Sequence, residues 1–306
     1  MTPNTKFLCL YHDSCLDGFG AAWVVRKYHG AENVEFVPVR YNQPPPDVKG
    51  RRVYIVDFSY KLDVMRQIIK DAAHVVHIDH HAGAIEELEP LLQDNLLNLS
   101  VSYDVRFSGA MLTWRNFFYA QEKPMLLRII QDHDLYEFRF GGITKRVTAA
   151  LVSYPFDFDV WDKFFLLPNL SSLEKEGEIL LRKINQDIER IVSETKRRMI
   201  ISGYDVAVAN VPRIYRTEAG DYMYQDTTEP FVATYCDTTR GRVFSLRSRD
   251  GGLDVNKVAK LYGGFGHPHA AGFTMPIGWE GDSEKLQQPI CPHTSCNWPL
   301  CSCKKD

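Results

Sequence analysis

The stretch KFLCLYHDSCLDGFGAAW, residues 6–23, contains the transition that decides the fold of the amino-terminal half. Its apolar, β-prone start predicts a strand over 6–11, and the alanine-rich end predicts a helix over 17–29. His12, Cys15 and Asp17 lie between the two. In an open α/β sheet, this carboxyl edge of the strands is where ligands bind. The alternative is a surface turn in which Asp17 only caps the helix.

The same alternation continues along the first half of the chain. Short apolar runs predict strands over 34–39, 53–57 and 74–79, and amphipathic segments predict helices over 61–72, 84–94 and 108–119. Alternating strands and helices are typical of the α/β class, so we expect a mostly parallel sheet with helices on both faces.

The second half has a different pattern. Ser171 begins a segment with a capping box and an apolar stripe, which predicts one long helix that joins two lobes. After it, β-rich runs over 204–210, 231–236 and 242–248 and a short helix over 254–261 predict a smaller mixed α/β domain. The predicted organisation is a first domain over 1–170, a linker helix over 171–202, a second domain over 203–280 and a flexible cysteine-rich tail over 281–306.

Composition limits the classes of function. The 306 residues are 44% hydrophobic and 25% charged, which is enough for two domains with buried cores. No apolar run approaches the roughly 20 residues of a membrane span and no signal peptide is recognisable, so we expect a cytoplasmic protein with no membrane partner. The odd count of seven cysteines argues against a secreted disulfide framework. Because the net charge is −3, a polyanionic substrate would need local cations or metal ions.

Acidic and histidine residues recur where predicted strands or helices end. Asp57 follows one strand, the triplet Asp79-His80-His81 follows another, and Asp132-His133-Asp134 ends an apolar helix. Parallel strands place their carboxyl ends at one edge of a sheet, so these side chains should converge there with those of residues 12–17. Carboxylates suit Mn²⁺ and Mg²⁺, and imidazole also admits Fe²⁺ and Zn²⁺. A helix cap is the simpler alternative for any one of these acids taken alone, and a solvated helix end is the alternative for His133 and Asp134.

Taken together, these residues resemble the motifs of the DHH phosphoesterase superfamily. His12 with Asp17-Gly18 resembles the first motif, Asp57 the second, Asp79-His80-His81 the third and Asp132 the fourth. The stretch GGFGHPHAAGF, residues 263–273, resembles the glycine and histidine motif of the DHH-associated carboxyl-terminal domain. Members of this superfamily include RecJ-type exonucleases, nanoRNA and 3′-phosphoadenosine 5′-phosphate (pAp) phosphatases, dinucleotide phosphodiesterases, exopolyphosphatases and pyrophosphatases.

The resemblance implies a centre of two divalent cations, with Mn²⁺ expected and Mg²⁺, Fe²⁺ or Zn²⁺ as alternatives. It places His12 and Asp57 on one cation, and Asp17, Asp57, His80 and Asp132 on the other, with Asp57 as the bridge. Asp79 would orient a neighbouring histidine, and His81 would face the substrate phosphate as a catalytic residue.

In the second domain, the glycine-rich motif supplies the expected substrate-binding residues. Gly264 and Gly266 let backbone N–H groups approach an anion, and His267 and His269 lie beside them. Upstream, Arg247 and Arg249 are two residues apart and could share a strand face directed at a phosphate. A glycine-rich turn with a buried His269, and an edge strand whose charges deter aggregation, are the alternatives.

Two features depart from the family pattern. Cys15 stands where many members have an acid, so it either weakens the first metal position, biases it toward Zn²⁺ or Fe²⁺, or is no ligand but a small buried side chain. The tail carries five soft ligands that could hold one Zn²⁺ or contact a protein partner, at positions that fit no common finger: Cys291, His293, Cys296, Cys301 and Cys303.

The function predicted from the sequence is metal-dependent hydrolysis of phosphoester bonds in short oligonucleotides or small nucleotides, by two-metal activation of water. Within enzymes, the alternative is a pAp-type phosphatase or a polyphosphate or pyrophosphate hydrolase. From another class, the alternative is a catalytically weakened nucleotide-binding regulatory module, with Cys15 spoiling one metal position.

Overall fold

The structure is a computed structural model that describes residues 6–41, 43–94, 96–167, 169–225, 227–249 and 251–283. The chain forms two compact units, Met1–Leu181 and Arg182–Asp306, and the division falls within one long helix. Most of the predicted tail, including the five candidate zinc ligands, lies outside the described residues.

The first unit alternates strands and helices, as predicted. Its elements in chain order are β1 (Phe7–His12), α1 (Leu16–His29), β2 (Val34–Val39), β3 (Arg52–Val56), α2 (Leu62–Asp71), β4 (His74–Asp79), α3 (Ala82–Gln93), β5 (Leu99–Tyr103), α4 (Gly109–Phe117), α5 (Met125–Asp134), α6 (Gly142–Leu151) and α7 (Phe158–Phe165). The helix α8 (Ser171–Thr195) contains the division between the units.

The five strands of the first unit form one parallel sheet in the order β2-β1-β3-β4-β5. Alternate residues of β1 pack into different cores. Leu8 and Leu10 join the core that includes α2 and α3, whereas Cys9 and Tyr11 join the core that includes α1 and α4 to α7. Helices therefore cover both faces, which confirms the predicted fold class. The short edge strand β5 was not predicted, because it is polar and largely exposed and gives little apolar signal.

The second unit contains β6 (Arg197–Ile201), β7 (Tyr204–Asn210), α9 (Arg216–Tyr224), β8 (Val232–Thr238), β9 (Gly241–Arg247), α10 (Val255–Leu261), β10 (Phe265–His267) and β11 (Ala270–Met275). These strands form a mixed sheet in the order β10-β11-β9-β8-β7-β6. The predicted mixed α/β arrangement is confirmed. In the part of the chain described, no helix is long and apolar enough to span a bilayer.

The helix predicted over 171–202 is too long. It ends at Thr195, and residues 197–201 form β6, which pairs with β7 in an antiparallel hairpin. Ser202 and Gly203 make the two-residue turn, and both have positive φ angles, 50° and 77°. A two-residue loop with positive φ at both positions matches the right-handed twist of the strands it joins. The hairpin therefore replaces the last turns of the helix that the apolar stripe alone predicts over 171–202.

Candidate metal centre

The carboxyl edge of the parallel sheet gathers the acids and histidines of three neighbouring strands. β1 ends at His12, Asp57 directly follows β3, and β4 ends at Asp79. Because β3 lies between β1 and β4, Asp57 occupies the middle of this edge. His80 and His81 follow Asp79 and precede α3.

Three overlapping sets of side chains each bring their ligand atoms within 4.8 Å of one another: His12 with Cys15 and Asp57, Asp17 with His80 and Asp134, and Asp57 with Asp79, His80 and His81. Asp57 belongs to two sets and His80 to two. The arrangement is therefore one continuous cluster, with Asp57 and His80 at the points where the sets overlap.

At the centre of the cluster, three buried polar atoms converge without hydrogen-bond partners. They are Asp57 Oδ1, His80 Nε2 and Asp134 Oδ2. His80 Nε2 lies 3.2 Å from Asp57 Oδ1 and 3.5 Å from Asp134 Oδ2. Buried polar atoms are nearly always hydrogen-bonded, and oxygen and nitrogen atoms that converge without partners are the donors a divalent cation needs. The residues at this edge therefore fit a metal ion.

Backbone geometry places Asp57 tightly against its neighbours. Its φ angle is 53°, in the left-handed region that costs a non-glycine residue energy, and its N–H donates to Ile78 O at 3.0 Å. A Cβ at Gly109, the first residue of α4, would lie 2.5 Å from Asp57 Cβ. Gly18 is similarly close to β1, since a Cβ there would lie 2.5 Å from His12 O. Both glycines allow helix starts to approach the cluster.

Asp17 is held by the start of α4. Its two carboxylate oxygens accept hydrogen bonds from Gly109 N at 2.5 Å and Ala110 N at 3.0 Å. The side chain is 1% exposed, and Asp17 Oδ2 lies 3.7 Å from His80 Nε2. Burial, together with the charges of Asp57 and Asp134, raises the pKa of Asp17 well above its ordinary value. A bound cation would relieve this repulsion.

The acid that α5 contributes to the cluster is Asp134, whereas the sequence analysis expected Asp132. Asp132 is buried, but its carboxylate accepts hydrogen bonds from Arg139 N, Phe140 N and Thr144 Oγ1. These bonds hold the loop that leads into α6. Asp132 lies in none of the three ligand sets of the described residues, so its role as a metal ligand stays a prediction.

Both carboxylate oxygens of Asp79 accept hydrogen bonds, and one of these bonds orients His81. Its Oδ1 accepts from His81 Nδ1 and from His80 N, both at 2.7 Å, and its Oδ2 accepts from Ser59 Oγ. Burial disfavours the imidazolium of His81, but Asp79 outweighs burial and raises the pKa of His81 above its ordinary value. His81 remains 26% exposed at the side chain. It can therefore present a ring N–H to a bound anion.

A buried network behind Asp79 was missed by the sequence analysis. Ser59 Oγ lies 3.0 Å from His77 Nε2, and Tyr103 OH lies 2.7 Å from His77 Nδ1. His77 is fully buried, and burial lowers its pKa. The only sequence signal was a histidine inside an apolar strand, two residues before Asp79. The network fixes the carboxylate that positions His81.

Within the cluster, the pKa of each group depends on the charges of its neighbours. Burial opposes a charged His80, but the carboxylates of Asp57, Asp17 and Asp134 raise its pKa to about 10. Burial and the charge of Asp57 raise the pKa of Asp134 to about 6. Without a cation, protons therefore neutralise part of the cluster, and metal binding would have to displace them.

The opening stretch contributes His12 and Cys15 to the other side of Asp57. His12 Nδ1 lies 3.8 Å from Asp57 Oδ2, and the Cys15 thiol donates to the same oxygen at 3.6 Å. Burial, followed by the charges of Asp57 and Asp134, raises the pKa of Cys15 above its ordinary value. The neighbouring Asp13 turns away and pairs with Arg40.

Replacing Gly109 by alanine should weaken divalent-metal binding, because the added Cβ would displace Asp57. Gly83→Ala is the matched control, since Gly83 lies in the first turn of α3 and a Cβ there meets no atom within 4 Å. Calorimetric titration with Mn²⁺ measures both. Equal affinity of the two variants would show that Asp57 tolerates the displacement.

The predicted substrate-binding residues all belong to the second unit. Cross-strand register places Arg247 beside Ala270 and Ala270 beside His267, so Arg247 and His267 share one row of the sheet. Gly264 and Gly266 are required for packing, since a Cβ at either would lie within 2.4 Å of the neighbouring β11 backbone. His269 Nδ1 lies 3.1 Å from Ser248 Oγ. Binding of a phosphate by this row stays a prediction.

The expectation that Arg247 and Arg249 share a strand face is wrong, because β9 ends at Arg247. The Arg247 guanidinium donates to Thr217 Oγ1 and Leu246 O, while its Nε is buried without a partner. Arg249 instead donates to the backbone carbonyls of Tyr224 and Thr227.

The amino-acid sequence is 25% identical, over 290 residues, to an uncharacterized protein of Acanthamoeba polyphaga mimivirus. That match covers 87% of this chain, and the chain spans 66% of the length of the viral protein. No protein-family model matches the sequence.

Solved structures similar to this fold include a pGpG-specific phosphodiesterase from Vibrio cholerae, with 15% identity, a TM-score of 0.48 and coverage of 89% of this chain and 94% of that chain. RecJ from Thermus thermophilus, in complex with Mn²⁺, has 12% identity and a TM-score of 0.49, over 89% of this chain and 50% of that chain.

Proposed function

We propose that this chain is a divalent-metal-dependent phosphoesterase of the DHH type that hydrolyses short oligonucleotides or small nucleotides. The observation that carries the proposal is the convergence of three buried, unpartnered atoms, Asp57 Oδ1, His80 Nε2 and Asp134 Oδ2. Asp17, Asp57 and Asp134 bring three buried carboxylates together, and they repel one another even with His80 between them. A cation would offset that cost.

In such a centre, the described residues would bind cations on two sides of Asp57. Asp57 is the shared ligand, with His12 on one side of it and His80, Asp17 and Asp134 on the other. Divalent cations bound there would activate water for attack on phosphorus and neutralise negative charge on the phosphoryl oxygens.

The protein residues around the cations supply orientation and a proton. Asp79 fixes the His81 ring, and the network through Ser59 and His77 fixes Asp79. Because Asp79 favours the imidazolium, His81 can donate a hydrogen bond to a phosphoryl oxygen or a proton to the leaving oxygen. The backbone N–H groups at the start of α4 keep Asp17 in place.

Hydrolysis assays on a substrate panel test the proposal. The panel comprises pAp, linear dinucleotides, RNA and DNA oligomers of graded length, polyphosphate and pyrophosphate, each with Mn²⁺, Mg²⁺, Zn²⁺ and Fe²⁺. We expect metal-dependent release of nucleotides, fastest for the shortest oligomers, and loss of turnover with a chelator. Turnover of only polyphosphate or pyrophosphate would show that the chain is a polyphosphate or pyrophosphate hydrolase and not a nucleotide phosphoesterase. Metal binding without turnover of any member would favour a regulatory module.

A further inference from the structure

We propose that Cys15 is a thiolate ligand, so that the two sides of the metal centre prefer different metals. The inference rests on the proposed function and deepens it, because it concerns which cations the centre selects. The side that contains Cys15 would take a borderline or soft cation such as Zn²⁺ or Fe²⁺. The opposite side would take Mn²⁺ or Mg²⁺.

The first step is the position of the sulfur atom. Cys15 Sγ lies 3.6 Å from Asp57 Oδ2, and it falls with a His12 ring nitrogen and an Asp57 oxygen in one set whose atoms are within 4.8 Å of one another. Cys15 directly precedes α1, yet its side chain makes no capping hydrogen bond to that helix. The thiol is therefore directed at the bridging carboxylate and does not serve the helix.

The second step is independent of the cysteine. The Asp57 side chain is 2% exposed and the His80 side chain is 10% exposed, and each has a buried atom without a hydrogen-bond partner. These two unpartnered atoms indicate a ligand on the His80 side of Asp57, and the other oxygen of the same carboxylate, Oδ2, faces Cys15 and His12. The thiol is thus part of a polar, metal-compatible environment and not of an apolar core, where Cys9 lies.

The third step is the chemical difference between the two sides. His12, Cys15 and Asp57 offer nitrogen, sulfur and oxygen, a combination that suits Zn²⁺ or Fe²⁺. On the other side, Asp17 and Asp134 offer oxygen and His80 offers nitrogen, and Asp57 Oδ1 adds a further oxygen 3.2 Å from His80 Nε2. Oxygen-rich sets suit Mn²⁺ and Mg²⁺. When the cation binds, the Cys15 thiol loses its proton to solvent and the sulfur lone pair forms the bond to the metal.

Titration with Co²⁺ tests the assignment, because a cobalt–thiolate bond gives a charge-transfer absorption in the near ultraviolet. The 306-residue chain is used with its four tail cysteines replaced by serine (Cys291→Ser, Cys296→Ser, Cys301→Ser, Cys303→Ser), so that the tail contributes no signal. We expect the band to appear in this chain and to vanish in Cys15→Ser. The matched control, Cys236→Ser, removes a cysteine of the second unit and should keep the band.

Cys15→Asp provides a second variant and a second readout. Replacing sulfur by oxygen should tighten Mn²⁺ binding and weaken Zn²⁺ binding by on the order of tenfold or more, measured by competition titration. In the parent chain, Zn²⁺ should also protect Cys15 from alkylation, as mapped by mass spectrometry, and this measurement needs no variant at the site.

The results separate this inference from the proposed function. A parent chain without the cobalt band, or a band that survives Cys15→Ser, would overturn the thiolate assignment even if Mn²⁺-dependent hydrolysis is observed. Unchanged alkylation of Cys15 in the presence of Zn²⁺ would do the same. Conversely, a band lost in Cys15→Ser would support the ligand role even if no member of the substrate panel is hydrolysed.

Discussion

Replacing Asp57 by asparagine should reduce phosphoester hydrolysis on the order of 10²- to 10³-fold or more, while the protein remains folded. Asp57 is shared between the His12 side and the His80 side of the cluster, so losing its charge weakens both sides together. Calorimetric titration should show a parallel loss of Mn²⁺ affinity.

Thermal unfolding without metal separates this effect from misfolding. Asp57 lies among other buried carboxylates, and its charge contributes to the raised pKa values of Asp17 and Asp134. Removing the Asp57 charge relieves this repulsion but also removes the interactions that, against burial, lower the pKa of Asp57, those with His12 and His80. Because the two effects oppose each other, the melting temperature of the metal-free protein should change by only about 2–4 °C. Asp13→Asn is the control, because Asp13 pairs with Arg40 outside the cluster and should keep activity. Full turnover by a folded Asp57→Asn protein would show that Asp57 is not the shared ligand.

Asp134→Asn and Asp132→Asn should have opposite consequences, although the two residues are neighbours in α5. Asp134→Asn should lose hydrolysis and metal affinity and remain folded, because Asp134 Oδ2 faces His80 and has no hydrogen-bond partner. Asp132→Asn should lose about 1–3 kcal/mol of unfolding free energy, because it disturbs the bonds to Arg139, Phe140 and Thr144.

Denaturant unfolding and metal titration of both variants distinguish the two roles. A folded Asp132→Asn protein that has lost its metal, beside an Asp134→Asn protein that binds normally, would restore the assignment expected from the sequence. It would also mean that α5 presents a different side to the cluster than the structure describes.

The sequence was sufficient to predict the parallel sheet and the edge at which the candidate ligands lie. Strands that end at His12, next to Asp57 and at Asp79 are recognisable from apolar runs that stop at polar residues. Parallel pairing then requires their ends to meet at one edge, and this is a property of the fold class that needs no further detail.

The contribution of α5 could not be predicted in the same way. Residues two apart on a helix point about 200° away from each other, so Asp132 and Asp134 face nearly opposite directions. Which of them faces the cluster depends on how the helix packs. That packing includes the loop whose backbone N–H groups hold Asp132, and a motif match alone does not encode it.

The buried partners of Asp79 were missed for a related reason. Ser59, His77 and Tyr103 come from three separate segments and meet only because β4 lies between β3 and β5.

The end of α8 was predicted wrongly for a different reason. The apolar stripe of the helix continues into the apolar residues of β6, so periodicity alone does not show where the helix ends. The Ser202-Gly203 turn was the available signal for a hairpin.

Anomalous diffraction from crystals grown with Mn²⁺ is the most direct measurement of the metal centre. We expect an anomalous peak within bonding distance of Asp57, His80 and Asp134, with Asp17 beside it, and no peak at Asp132. Data collected with Zn²⁺ should add a peak at His12 and Cys15. Crystals that bind Mn²⁺ only elsewhere on the chain, while Asp57 Oδ1 and His80 Nε2 still face each other without a cation, would contradict a metal centre at this edge of the sheet.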